Sequence, residues 1–480
     1  MLFAAFVVLL AAGLVIQSQT HAFSWDEGFH LLAAQLILGG KRPYLDFCFP
    51  QTPLNAYWNA VWMRVFGDTW RTAHAVAALL TASAALATAD YVRRRFPVPD
   101  WQGPAAIAVV LMIGLNVVAF DFGTVGQAYG ICLSLEVAAF RAAVATVDQE
   151  RLILPAAAGF LALAAANSSL LTAPVAPVLL IWILFHNRKG KRWAKAAAFL
   201  AGGAITCLPL AWLFAQGPRQ TIFNIIEYNL FYRKVDWPGA LRHDIRVLFA
   251  WLDSGQALIL GMLAVGGLIF VRKCAWDRAV RTEFYLCAWL AAAEAVYIAN
   301  VHPSFERYYL LTVPFLSVLA CAGLYRASSR LFPPHRPFWP VFLLGLVIGL
   351  GFAKSRYDGR GDVTWSDAEQ IARRVGEIPP RGRLLADDMI YFILRYPVPS
   401  GMELSDSHKL DLAPGTMNQM HLVSKAELKR RLHSGFFDIV ETWDEEAWKE
   451  ENWIEDVGLP RLYARRATIG DADIFWDRVR

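Results

Sequence analysis

Charge is scarce in this sequence. Asp, Glu, Lys and Arg make up 18% of its 480 residues, where a soluble domain carries about 25%. With 56% hydrophobic residues and 13% aromatic ones, so little charge excludes a single water-soluble core and points to many apolar stretches. Cysteine is scarce as well. Cys48, Cys132, Cys207, Cys274, Cys287 and Cys321 form no pairing framework and no zinc spacing. Five of them fall in or beside apolar runs and read as small hydrophobes. The net charge of +5 is modest and unevenly spread: residues 354–480 carry 23 acids and 19 bases, which leaves +9 on the first 353. A basic excess confined to the apolar part reads as membrane topology, not nucleic-acid binding.

What is present is a series of apolar runs. A helix needs ~20 mainly apolar residues to cross a hydrocarbon core ~30 Å thick. About eleven runs approach that length, at 1–18, 72–92, 104–120, 126–146, 153–167, 169–186, 194–215, 255–271, 282–300, 309–325 and 338–353. The first lacks the basic start of a signal peptide and is expected to be retained as a helix. The richest basic loops are Arg93-Arg94-Arg95, Arg188 to Arg192, Arg272 to Arg281 and Arg326 to Arg336. With the N-terminus in the cytoplasm, all four fall on the cytoplasmic side. The opposite side then receives the loop 19–71, the loop around Asp121, the loops 216–254 and 301–308, and the tail from about 354.

The expected fold class is mainly α. Residues 1–353 form a polytopic helical bundle, and residues 354–480 a small soluble α/β domain on the non-cytoplasmic side. Within the loop 19–71, segments 26–38 and 53–66 are amphipathic and suit the membrane interface. The loop 216–254 carries Phe223, Tyr228, Phe231, Tyr232 and Trp237, which also suit an interface. In the tail, Arg383–Asp388 reads as a short strand, Met389–Arg395 as a helix and Phe436–Val440 as another strand. Ser424 caps a helix to Leu432, and Trp443 to Trp453 reads as a surface helix.

Candidate chemistry centres on Phe23-Ser24-Trp25-Asp26-Glu27-Gly28-Phe29-His30, directly after the first run. Asp26 and His30 stand four apart, on one face of a helix. Asp26 reads equally well as a helix N-cap or as a general base at a low-dielectric surface. Asp121 is a second acid on the same side, or a loop acid that ends a span. Arg307, flanked by Tyr308 and Tyr309, fits a phosphate through its planar fork or anchors the interface. Glu136 and Glu294 lie inside spans, where acids are functional candidates by default, although Arg141 offers a plain ion pair.

The stretch Trp25-Asp26-Glu27, then Gly40-Lys41-Arg42-Pro43-Tyr44-Leu45-Asp46-Phe47, then Pro50-Gln51-Thr52-Pro53-Leu54 and Phe66-Gly67, resembles the first loop of the GT-C membrane glycosyltransferases. Glu306-Arg307-Tyr308-Tyr309-Leu310 before Val313-Pro314-Phe315 adds to the likeness, which is most similar to bacterial relatives of the protein O-mannosyltransferases and the aminoarabinose transferase. The resemblance implies a sugar taken from a polyprenyl-phosphate donor and passed to a hydroxyl acceptor outside the cytoplasm, with inversion, in a bacterial inner membrane. It casts Asp26 as the general base on the acceptor hydroxyl, with Glu27 as a lesser catalytic partner, and Asp121 as the second acidic position. Asp26 and Asp121 would be the ligands of any divalent Mg or Mn. Arg307 would meet the carrier phosphate, with Tyr308, His30, Tyr44 and Asp46 lining the substrate. Two departures stand out. A mid-chain lysine of the relatives is replaced near its place by Asn167-Ser168-Ser169, and the second acidic motif is single. A transporter or flippase of lipid-linked sugars is the alternative, but no half-to-half repeat is visible.

Overall fold

The computed structural model describes residues 2–147, 149–186, 190–233, 239–333, 336–379, 382–410, 412–443 and 457–479. Trp237, and the expected surface helix beyond Trp443, lie outside the described residues. The chain opens with helix α1 (Leu2–Thr20). The loop that follows folds into α2 (Glu27–Leu38) and α3 (Leu54–Phe66), as the amphipathic spacing predicts. Then come α4 (Trp70–Arg95), α5 (Pro99–Gly114), α6 (Val117–Phe122), α7 (Tyr129–Thr146), α8 (Ile153–Ser168), α9 (Val175–His186) and α10 (Arg192–Gln216). After α11 (Pro218–Ile222) and a π-helical stretch, Phe223–Tyr232, follow α12 (Ala240–Asp253), α13 (Gly255–Lys273), α14 (Arg278–Ala299), α15 (Val313–Leu331) and α16 (Phe338–Asp358).

The expected apolar runs fall on α1, α4, α5, α7 to α10 and α13 to α16. Six helical stretches among the described residues are long and apolar enough to cross a membrane: α4, α7, α10, α13, Glu306–Leu331 and Phe338–Gly376. The runs in α1, α8 and α9 are apolar but shorter. Outward-facing residues such as Leu200, Leu208 and Trp212 on α10, and Met262, Val265 and Ile269 on α13, are exposed and apolar, which suits contact with lipid. The chain is a multi-pass membrane protein.

Three of the four basic loops share one end of the bundle. Arg95, at the end of α4, pairs with Glu283 at the start of α14, and Tyr91 donates to the same carboxylate at 2.9 Å. Around them Phe96, Trp276 and Tyr325 interlock edge to face and tilted, at 5.4–6.3 Å. Within the membrane, tight helix pairs rest on glycine. A Cβ on Gly202 of α10 would sit 1.9 Å from the Ala156 carbonyl oxygen, and one on Gly267 of α13 would sit 2.0 Å from that of Leu319. Lipid gives no hydrophobic drive for helices to pair, so close backbone approach supplies the packing.

The C-terminal part adds α17 (Trp365–Gly376), α18 (Asp388–Leu394), α19 (Pro414–Gln419) and α20 (Lys425–Ser434). It also builds a sheet from β1 (Leu384–Leu385), β2 (Ile439–Trp443), β3 (Tyr463–Ile469) and β4 (Ala472–Arg478), in the order β1-β2-β4-β3. Only β1 and β2 run parallel. The Ser424 hydroxyl caps α20 by accepting from the Glu427 N–H at 3.2 Å, as read from sequence. The first strand is shorter than expected, and β2 lies three residues later. This part shares its cores with the first loop: Leu32 packs among Ile371, Ile390 and Ile474, while Leu31 and Trp70 pack with Trp365 and Met389.

Gly267→Leu is expected to cost about 3 kcal/mol or more through overpacking. The melting temperature of the purified protein should fall by roughly 5 °C or more. Gly261→Leu, whose Cβ meets nothing within 4 Å, should leave it unchanged.

Candidate functional site

Two adjacent carboxylates part company at the start of α2. Glu27 is fully buried. It accepts from the Trp365 Nε1–H at 3.0 Å and from the Gly126 backbone N–H, and lies 2.6 Å from His74 Nε2. The other ring nitrogen of His74 lies 2.6 Å from the Ser18 carbonyl oxygen. This cluster ties α1, α2, α4, the loop before α7 and α17 together. Asp26 faces the other way. It occupies the N-cap of α2, yet its side chain makes no cap hydrogen bond. Instead Arg307 donates to its carboxylate.

Asp26 and Arg307 line a cavity of about 890 Å³, within the size range of small-molecule sites. Its membrane-side wall also carries His30, Tyr308 and Arg233. The Arg307 guanidinium lies 4.4 Å from the Phe305 ring centre, and that of Arg233 lies 5.9 Å from the same ring. Arg233 donates to the Tyr308 hydroxyl. Two guanidiniums thus converge on one aromatic pair.

The π-helical stretch that delivers Arg233 is pinned to the first loop. The Asn224 side chain accepts from the Phe49 N–H at 2.8 Å, and Asn229 donates to the Pro50 carbonyl at 3.3 Å. His30 is buried, stacked on Phe29 with centroids 4.3 Å apart. Burial lowers its pKa to about 4; Asp26 opposes the shift and Arg307 adds to it. The opposite wall comes from the C-terminal part, with Asp387, Asp388, Glu441 and Trp443.

Sequence reasoning therefore brings Asp26, His30, Arg307 and Tyr308 to one cavity. Four other expected residues lie elsewhere. Glu27 lines no part of the cavity, because its partners are all structural. Asp121 is held by Arg356 at 2.6 Å and by Gln17 at 3.0 Å, away from the cavity wall. Tyr44 is buried and donates to the Gln51 carbonyl at 2.6 Å, so it shapes the loop from behind. Asp46 pairs with Arg42 at the surface. Glu136 and Glu294 are buried against each other and do not line the cavity; Arg141 turns to Asp90 instead.

Arg233 and Glu441 were not singled out from sequence. An arginine directly after Phe231-Tyr232, and an acid inside the apolar strand Ile439–Trp443, were the available signals. Asp26 and Asp121, the acids expected to hold any divalent metal, are not brought together: Asp26 pairs with Arg307 and Asp121 with Arg356. No group of three or more His, Cys, Asp and Glu that could hold a metal ion occurs among the described residues.

The arrangement matches solved membrane enzymes in fold. ArnT from Cupriavidus metallidurans, determined with undecaprenyl phosphate bound, superposes with a TM-score of 0.68 at 14% identity, over 99% of this chain and 97% of that one. The archaeal oligosaccharyltransferase AglB from Archaeoglobus fulgidus, in complex with an inhibitory peptide and a dolichol-phosphate, does so with a TM-score of 0.51 at 12% identity, over 93% of this chain and 70% of that one. The chain has the fold of the GT-C membrane glycosyltransferases. No family model matches the sequence, and no curated protein matches it.

The low pKa of His30 sets an acid sensitivity. The unfolded chain holds a proton there between pH 6.5 and about 4 that the folded chain does not. Stability present above pH 6.5 is therefore lost as pH falls through that window, by up to about 3 kcal/mol. Melting curves of His30→Asn should fall less steeply from pH 7 to pH 4.5 than those of the wild type.

Proposed function

We propose that this protein transfers a sugar from a polyprenyl-phosphate carrier to a hydroxyl acceptor on the non-cytoplasmic face of the membrane, with inversion at the anomeric carbon. The observation that carries the reading is the Arg307–Asp26 pair in the cavity wall, with Arg233 beside it. Two planar guanidiniums suit a phosphate, and the ArnT and AglB structures were determined with a polyprenyl-type phosphate bound. A carrier phosphate that takes up Arg307 releases Asp26 from its ion pair. The freed carboxylate accepts the proton of the acceptor hydroxyl as that oxygen attacks the anomeric carbon. The bond from that carbon to the phosphate oxygen breaks, and the electron pair leaves with the phosphate, stabilised by the two arginines.

Sidedness in this reading rests on the basic loops: three of the four gather at one end of the bundle, and the cavity residues come from the loops and helix ends at the other. The chemistry requires no metal, since the guanidiniums supply the positive charge. The spans number about eleven in this reading, because helix covers most of each expected run.

The test is transfer from radiolabelled undecaprenyl-phosphate sugars in membranes. Asp26→Asn should lower the rate by about 10³ while the protein stays inserted and folded, and EDTA should leave the wild-type rate unchanged. Near-normal transfer by Asp26→Asn would sink the assignment. Facilitated flipping of the carrier without transfer would favour a transporter.

A further inference from the structure

The wall of the cavity opposite the arginines has polar atoms with no hydrogen-bond partner among the described residues. Glu441 and Trp443 are two apart on β2, so both side chains stand on one face of the sheet. They are only 2% and 4% exposed. One Glu441 oxygen accepts from the Asp387 backbone N–H at 3.0 Å, and the other, Oε1, has no partner. The Trp443 indole Nε1–H has none either. Buried polar atoms are almost always hydrogen-bonded, so a pair of orphans beside a cavity calls for an explanation. Next to them, Trp25 meets Trp443 edge to face at 5.0 Å and leaves 40% of its own surface open. Trp25 also lines the cavity, and directly precedes Asp26.

We infer that Glu441, Trp443 and Trp25 form a subsite for the polyhydroxylated ring of a sugar. A sugar ring carries hydroxyls on its edge and C–H groups on its faces. The indole face of Trp25 accepts the C–H face, while Trp443 Nε1 and Glu441 Oε1 meet hydroxyls. The inference rests on the reading of the arginine wall as the phosphate site. It adds a direction: phosphate toward Arg307 and Arg233, sugar toward the C-terminal sheet. Asp387 and Asp388 on this wall oppose a phosphate there.

Burial beside Asp387 pushes the Glu441 carboxyl up to about 8, so at neutral pH it donates a hydrogen bond to a hydroxyl. Asp388, Glu403 and Glu441 cluster around Tyr391. Lys41 holds Glu403 at 3.4 Å, His408 and Lys409 line the same cavity, and Asp473 on the adjacent strand is taken up by Arg466. The sugar belongs either to the donor or to a glycan acceptor, and the two sources separate in one experiment.

The full chain, purified in detergent, is titrated with undecaprenyl phosphate and with undecaprenyl-phosphate-glucose and -mannose. Transfer is measured in parallel against a cell-envelope glycolipid extract. If the donor sugar occupies the subsite, Glu441→Leu weakens the sugar-bearing carriers about tenfold and leaves undecaprenyl phosphate unchanged. If the acceptor sugar does, carrier affinities hold and the half-saturating extract rises about tenfold. Glu441→Gln keeps the neutral donor at all pH values. Sugar affinity should therefore be equal at pH 7 and pH 9 in that variant, and fall at pH 9 in the wild type.

Two outcomes overturn the subsite. In one, neither carrier affinity nor half-saturation moves. In the other, Glu441→Leu weakens sugar-free and sugar-bearing carriers alike while Glu441→Gln retains the wild-type pH dependence. An active Asp26→Asn alongside a tenfold loss in Glu441→Leu would overturn the catalytic reading and leave the subsite standing.

Discussion

Glu27 is a carboxylate closed off from the surface, held between segments that are far apart in sequence. A buried carboxylate is costly unless its oxygens are fully bonded. Here the bonds come from His74 in α4, the Gly126 N–H before α7 and the Trp365 indole in α17. Even Gly126 is constrained, because a Cβ there would sit 2.8 Å from the same carboxylate. The start of α2 is therefore fixed on three sides, and Asp26 inherits that fixed position one residue earlier. Two neighbouring acids divide the work. Glu27 sets where the backbone goes, and Asp26, half exposed, is left to do chemistry.

The same tie brings the C-terminal part over the membrane helices. Trp365 stacks on Trp70 at 5.4 Å, and Met389 at the start of α18 lies against Gly28, where a Cβ would meet its backbone nitrogen at 2.9 Å. The loop that leads into α18 holds Asp387, and β2 beside it holds Glu441. A cavity results with guanidiniums on the membrane side and carboxyls on the sheet side. That charge separation gives a phosphate-bearing ligand one preferred orientation.

Much of the helical frame was legible in the sequence, because the apolar runs approach, and six helical stretches reach, the length that a bilayer imposes. The amphipathic helices α2 and α3 and the Ser424 cap were legible for the same kind of local reason. Asp26, His30, Arg307 and Tyr308 converge as expected. What was hidden depends on tertiary pairing. No periodicity tells Glu27 from Asp26, and only the positions of His74 and Trp365 separate them. Asp121 shares a side with Asp26, but side alone does not make a site: Arg356, more than two hundred residues later, claims it. Arg233 reaches the cavity through a π-helical stretch that a 3.6-residue period does not describe.

The central claim is that a carrier phosphate competes with Asp26 for Arg307. Its most direct measurement is the affinity of the purified protein for undecaprenyl phosphate with and without the Asp26 carboxylate. In Asp26→Asn, Arg307 no longer has an anion to leave, so the carrier should bind several-fold more tightly even as transfer is lost. Weaker binding in Asp26→Asn would contradict the account, since it would make Asp26 a support of the phosphate and not its competitor.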